Sequence, residues 1–200
     1  MDWTDLQQTI AKTVTYTGIG LHTGEDVKMT CLPAPEDTGI CFRRVDLPQK
    51  PMIKVSPMNI VSTKRCTSIG SIEENWYIHT IEHLMAAISM TGIDNLIVEL
   101  DAGEPPVTDG SAVVFMDLFK EAGLIKQSKK RRVIKITEPI FVRDNDATLV
   151  ALPYDGLRIS YTLSYNHPVI GTQYVDYEIN SEVFLKEIAP ARTFGFCPGG

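Results

Sequence analysis

Two hundred residues at 22.2 kDa, 44% hydrophobic and 22% charged with 14 Gly and 12 Pro, describe a globular chain of one large or two small domains and exclude disorder, collagen and coiled coil. Nineteen basic against twenty-five acidic side chains leave a net charge of −6, which argues against a nucleic-acid surface built on counterion release. The longest apolar stretches, such as 85–88 and 96–98, fall far short of the roughly 18 residues a spanning helix needs; the acidic start Met1–Asp2–Trp3–Thr4–Asp5 lacks the features of a signal peptide, so a cytoplasmic location is expected.

Along the chain, Thr13–Val14–Thr15–Tyr16, a turn with Gly18, Gly20 and Gly24, and the alternating Val27–Lys28–Met29–Thr30–Cys31–Leu32 predict a β-hairpin with a long loop. Pro33–Ala34–Pro35 ends it, and Ile40–Cys41–Phe42 starts a third strand. From Trp76 to Met90 the period changes: Ile81, Leu84, Met85 and Ile88 fall at i, i+3, i+4 and i+7, predicting a helix that Gly92 closes. Leu96 to Leu100 reads as a buried strand, and Asp109 or Ser111 can cap a second helix from Ala112 to Glu121 that Gly123 closes.

Lys126, Lys129, Lys130, Arg131 and Arg132 form a basic run that reads as a solvated linker between two domains, 1–126 and 127–200. Strands are then expected at Val133–Ile136, Ile140–Val142, Thr148–Leu152 and Leu157–Tyr165, and Ser181 can cap a short helix through Ile188. Strands followed by helices, twice in succession, predict an α+β fold. Cys31, Cys41, Cys66 and Cys197 show no CxxC spacing and are expected as reduced thiols.

The sharpest chemical pattern is His79–Thr80–Ile81–Glu82–His83. On a helix the two histidines lie one turn apart on one face, where two imidazoles can bind zinc beside a carboxylate that serves as general base. As HxxEH this is the pattern of an inverzincin peptidase; the plainer alternative is a helix with one buried, hydrogen-bonded histidine and one exposed one. The glycines around His22 match neither a P-loop nor a dinucleotide fingerprint and read as a turn, and Asp109–Gly110–Ser111 reads as a turn and helix cap.

Eight segments in order carry a resemblance that covers nearly the whole chain. They are Thr17 to Gly24; Pro33–Ala34–Pro35 with Thr38–Gly39; Arg43 to Leu47; Thr80–Ile81–Glu82–His83–Leu84 with Ala86–Ala87; Gly92 to Asn95; Asp109 to Ala112; Asn166–His167–Pro168; and Ala191 to Phe196. Together they resemble the bacterial UDP-3-O-acyl-N-acetylglucosamine deacetylases, zinc hydrolases of lipid A synthesis. The resemblance implies two similar domains of sheet plus helices, the second incomplete here, and a monomer that releases acetate from UDP-linked acylated N-acetylglucosamine. It implies His83 as the first of three zinc ligands, Glu82 as general base toward the attacking water, and Thr193 as a hydroxyl that stabilises the oxyanion. Phe194 and Phe196 resemble residues lining the passage for the acyl chain, with His22 and Cys66 nearby, and Tyr165 an aromatic residue set against uracil.

The sequence departs from the family pattern in three places. The expected His and Asp ligands and a general-acid histidine have no counterpart before Gly200, so the chain reads as an N-terminal portion that alone binds zinc weakly and turns over little substrate. His79 stands where a small hydroxyl residue is expected. Lys64–Arg65 before Cys66 and Ser164 before Tyr165 bear on selectivity rather than reaction type. Two rival readings remain: a zinc peptidase using His79, His83 and Glu82, and a non-catalytic fragment that binds a nucleotide sugar.

Overall fold

The computed structural model describes residues 5–193 and Gly195. These divide into two compact units: residues 132–186 form one, and residues up to 131 together with those from 187 onward form the other. Mixed helices and sheets make the fold α+β. Among the described residues no helix is long and apolar enough to cross a membrane.

The larger unit is built on a five-stranded sheet containing β2 (Val14–Ile19), β3 (Asp26–Pro33), β4 (Ile40–Arg44) and β5 (Met52–Lys54). Its central strand is β9 (Leu96–Leu100), antiparallel to β3 and parallel to β4. Alternation decides which face is buried: Val27, Met29 and Cys31 on β3 and Leu96, Val98 and Leu100 on β9 are enclosed. The intervening Glu99 meets Arg43 across the parallel pair at 3.0 Å.

Three short strands, β6 (Ile60–Ser62), β7 (Ser68–Ser71) and β8 (Trp76–Ile78), make a second sheet that leads into α1 (Glu82–Thr91). The helices α1 and α2 (Val113–Ala122) pack on each other, burying Leu84, Ala87, Ile88, Phe115, Leu118 and Phe119. Gly92 closes α1 in a left-handed conformation at φ +74°. Ser111 Oγ accepts from Val113 N at 3.2 Å at the head of α2, and Gly123 ends it.

Two expectations fail here. The helix does not reach back to Trp76, because Trp76–Ile78 is a strand and Thr80 takes a left-handed φ of +56° that no helix continues through. The basic run is not a linker either: Lys126 to Lys130 lie in β10 (Leu124–Lys130), which pairs antiparallel with β1 (Leu6–Ile10). Acidic partners explain why the charges tolerate a strand. Lys129 pairs with Asp37, Ser128 and Lys129 donate to Glu36, and Arg131 meets Asp94 at 2.8 Å.

The smaller unit holds two antiparallel hairpins: β11 (Ile140–Asp144) with β12 (Ala147–Ala151), and β13 (Arg158–Ser164) with β14 (Thr172–Glu178). Three of the four strands expected there form; residues 133–136 do not, and β14 is additional. A short helical turn α3 (Ser181–Val183) follows, capped by Asn180, whose side chain accepts from Val183 N, rather than by Ser181.

Candidate functional site

Glu82 and His83 open α1, both half-buried, above a turn whose next residue inward, Leu84, is fully enclosed. A carboxylate in the first turn is favoured by the helix dipole. Glu82 Oε2 also accepts from Thr67 N at 3.0 Å, and Ile81 N donates to Thr67 O at 3.3 Å. The segment just after Cys66 therefore fixes the Glu82 carboxylate from its backbone.

His79 does not join His83 on a helical face. It lies three residues before the helix, beyond the left-handed Thr80, with its N–H on Gly103 O at 2.9 Å. Its Nδ1 is 2.9 Å from Ser68 Oγ, which is 3.5 Å from Cys66 Sγ. The i, i+4 pair that a zinc-peptidase reading requires is not formed, because the backbone reverses its hand between the two histidines.

His22 is exposed on the loop between β2 and β3. The loop is closed by Gly20 N to Glu25 O at 2.9 Å and Gly24 N to Gly20 O at 3.1 Å. Beneath it sits Glu104, with no solvent exposure. Glu104 Oε2 accepts from His22 N at 3.0 Å, Thr23 N at 3.2 Å and Thr23 Oγ1 at 3.3 Å. A Cβ at Gly20 would lie 2.7 Å from the same oxygen, so glycine there permits the close approach. Burial pushes the Glu104 carboxyl up, but the Thr80 hydroxyl, the two N–H groups and the His22 ring outweigh it and hold the carboxyl below its ordinary value.

Thr193 is exposed, and its backbone N–H donates to Gly110 O at 3.1 Å. Arg192 lies 3.6 Å from Asp109, and Ala112 N donates to Ala189 O at 3.0 Å. The segment between β9 and α2 thus holds the His22 loop at Glu104 and the Thr193 segment at Asp109–Gly110. Its Gly103 also holds His79, three residues before Glu82. Tyr165 belongs to the smaller unit, in the turn between β13 and β14, where its N–H donates to Gly171 O at 2.9 Å. Phe194 and Phe196 lie outside the described residues.

The donor chemistry fits a metal in part. An imidazole stands next in sequence to an oriented carboxylate, and among the described residues no three His, Cys, Asp or Glu side chains gather into a fuller ligand set.

Residues 7–198 match the family model for UDP-3-O-acyl N-acetylglycosamine deacetylase. The chain belongs to that family. Curated relatives named UDP-3-O-acyl-N-acetylglucosamine deacetylase include those of Bdellovibrio bacteriovorus, 42% identical over 191 residues, and Chromobacterium violaceum, 42% over 193; each alignment covers 96% of this chain and 63% of the relative. That of Saccharophagus degradans is 41% identical over 192 residues, covering 95% and 63%. The chain therefore spans under two thirds of the length of these deacetylases.

The sequence pattern draws attention to Glu82 and His83 but not to Glu104 or Ser68. A signal for Glu104 was present in Gly103–Glu104–Pro105–Pro106. The two prolines that follow have no N–H to offer, so a buried carboxylate there must find donors on another segment.

Proposed function

We propose that this chain carries the general base and one metal ligand of a zinc-dependent amide hydrolase that removes the acetyl group from UDP-linked, 3-O-acylated N-acetylglucosamine, in lipid A synthesis. The observation that supports it most is the Glu82–His83 pair at the open end of α1, its carboxylate oriented by Thr67 N–H, in a chain of the deacetylase family. His83 would hold the zinc with donors that these residues do not supply. When bound, the metal would lower the pKa of water and polarise the acetamide carbonyl.

Glu82 receives the proton of the attacking water on Oε1 while Oε2 stays on Thr67 N–H. The Thr193 hydroxyl donates to the oxygen on which negative charge develops, its backbone anchored on Gly110 O. His22, Cys66, Phe194 and Phe196 contact the acyl chain, and Tyr165 the uracil ring. In the same reading the first domain runs on through β10, which pairs with β1, and the enzyme is a cytoplasmic monomer.

Acetate release from the sugar nucleotide by the full-length protein containing this segment, with Glu82→Gln and His83→Ala beside it, tests the reading. Glu82→Gln is expected to keep its zinc and lose about 10²–10⁴-fold in kcat. His83→Ala is expected to lose zinc as well. Parental turnover in Glu82→Gln, or cleavage of a peptide in place of the sugar nucleotide, would overturn it.

A further inference from the structure

We infer that Glu104 is a positioning residue that ties together two segments of the candidate site, the His22 loop and the bend that sets the head of α1; its bearing on deacetylation rests on the reading above. Two independent features of the structure support it.

The first is the direction of the donors. Glu104 is fully enclosed, yet all three hydrogen bonds to its Oε2 come from His22 and Thr23, more than eighty residues earlier. Together with the bridge between Gly20 and Pro106 and the bond from Val107 N to Ile19 O at 2.8 Å, they hold the loop against the segment after β9. A buried carboxylate stripped of these donors would be left to bear its desolvation alone, so loop and carboxylate hold each other in place.

The second is the strain at Thr80. A β-branched residue at φ +56° costs free energy and persists only when its surroundings over-determine it. The Thr80 hydroxyl is buried beside the Glu104 carboxylate and favours its charged form. Neither Thr80 Oγ1 nor Glu104 Oε1 has a well-formed hydrogen bond among the described residues. Thr80 is two residues from Glu82, and His79 before it is held by Gly103 O, next to Glu104. The same short segment therefore sets where the chain turns into α1 and which way the Glu82–His83 pair faces.

Glu104 donates or accepts no proton in the reaction and touches no substrate in this assignment; it acts through the backbone of His22 and through Thr80. Glu104→Gln keeps a side-chain oxygen for the His22 and Thr23 N–H groups and offers an amide N–H to Thr80 Oγ1. Glu104→Ala removes all of these contacts, and Glu104→Asp keeps the charge but shortens the reach by one methylene.

Amide hydrogen exchange and deacetylation are read on the full-length protein containing this segment. Exchange at His22 and Thr23 is expected to rise about tenfold or more in Glu104→Ala and Glu104→Asp and to stay within about threefold of the parent in Glu104→Gln. With folded fractions matched, kcat/KM is expected to fall about 10²-fold in Glu104→Ala and to recover for the most part in Glu104→Gln. Unchanged exchange at His22 and Thr23 in Glu104→Ala would overturn the inference. So would acceleration spread evenly over β3 and β9, which marks general destabilisation. Should Glu104→Ala fail to fold, Glu104→Asp exchanging no faster than Glu104→Gln would overturn it. If the parent releases no acetate while exchange follows the expected pattern, the deacetylase reading falls and the anchoring by Glu104 stands.

Discussion

Glu104 sits without solvent exposure, and its neighbours favour the charged form over the neutral one. Its carboxyl is lower in the folded chain than in the unfolded one, so the unfolded state binds the proton more readily. The stability this adds is complete above the ordinary glutamate value of about 4.3 and is lost as pH falls through the lower, folded value. Thermal melting from pH 6 to 3 should therefore show a loss for the parent that is shallower in Glu104→Gln; parallel curves would exclude a titrating role for Glu104. Cys31 shows the opposite case. It is fully enclosed, and burial pushes its thiol up to about 12, so at pH 8 it should resist iodoacetamide until the chain is unfolded. Mass spectrometry showing rapid alkylation of Cys31 in the folded chain would contradict this.

At this scale the sequence was legible where chemistry and position coincide. Glu82 and His83 stand out because ionisable residues beside an apolar helical period are few. His79 was misplaced because nothing in a pattern of residue types announces that Thr80 will adopt a left-handed backbone.

Among the elements, α2, β2, β3 and β9 follow periodicity that the sequence displays openly, since each turns one regular face inward, whereas β4 buries the consecutive Cys41 and Phe42. β1, β8 and β10 were hidden for physical reasons. β1 buries Gln7, Gln8 and Thr9, which a hydrophobic pattern does not register, and their burial is made tolerable by side-chain partners far along the chain. Asn95 Nδ2 donates to Gln7 Oε1 at 2.8 Å and to Gln127 Oε1 at 2.7 Å, and Thr9 Oγ1 donates to Asn95 O at 2.7 Å. β8 is three residues long, too short for a period.

The close of α1 illustrates how one residue type ends an element. Gly92 is at φ +74°, its carbonyl accepts from Gln8 Nε2 at 3.2 Å and from Arg131, and an added Cβ would sit 3.1 Å from Gln8 Nε2. Gly92→Ala should cost about 1 kcal/mol or more in chemical denaturation. A loss below a few tenths would show that the left-handed turn carries no such cost.

Over the whole molecule, burial is uneven. In the smaller unit Phe141, Leu149 and Tyr174 are 69%, 71% and 62% exposed, whereas β3 and β9 of the five-stranded sheet enclose Val27, Met29, Cys31, Leu96, Val98 and Leu100. Two-stranded hairpins are marginal by themselves. Limited chymotrypsin digestion of the 200-residue chain should therefore cut first within residues 140–178, with amide exchange there faster than in β3 and β9. First cuts within residues 5–131 would refute this ordering. The α+β class was readable from the succession of strand and helix periods, but the sheet order was not, because pairing β9 with both β3 and β4 depends on contacts across fifty residues and more.

The pairing of β1 with β10 bears on how the chain is made. Leu6 meets Lys130 and Ile10 meets Leu124, so the first strand leaves the ribosome more than a hundred residues before its partner exists. At about 5–20 residues per second that delay is roughly 6–25 s. During it Gln7, Gln8 and Thr9 must keep their hydrogen bonds with water, and the strand stays available to any other exposed edge. Vectorial synthesis thus leaves the oldest strand of the larger unit among the last to be locked in place.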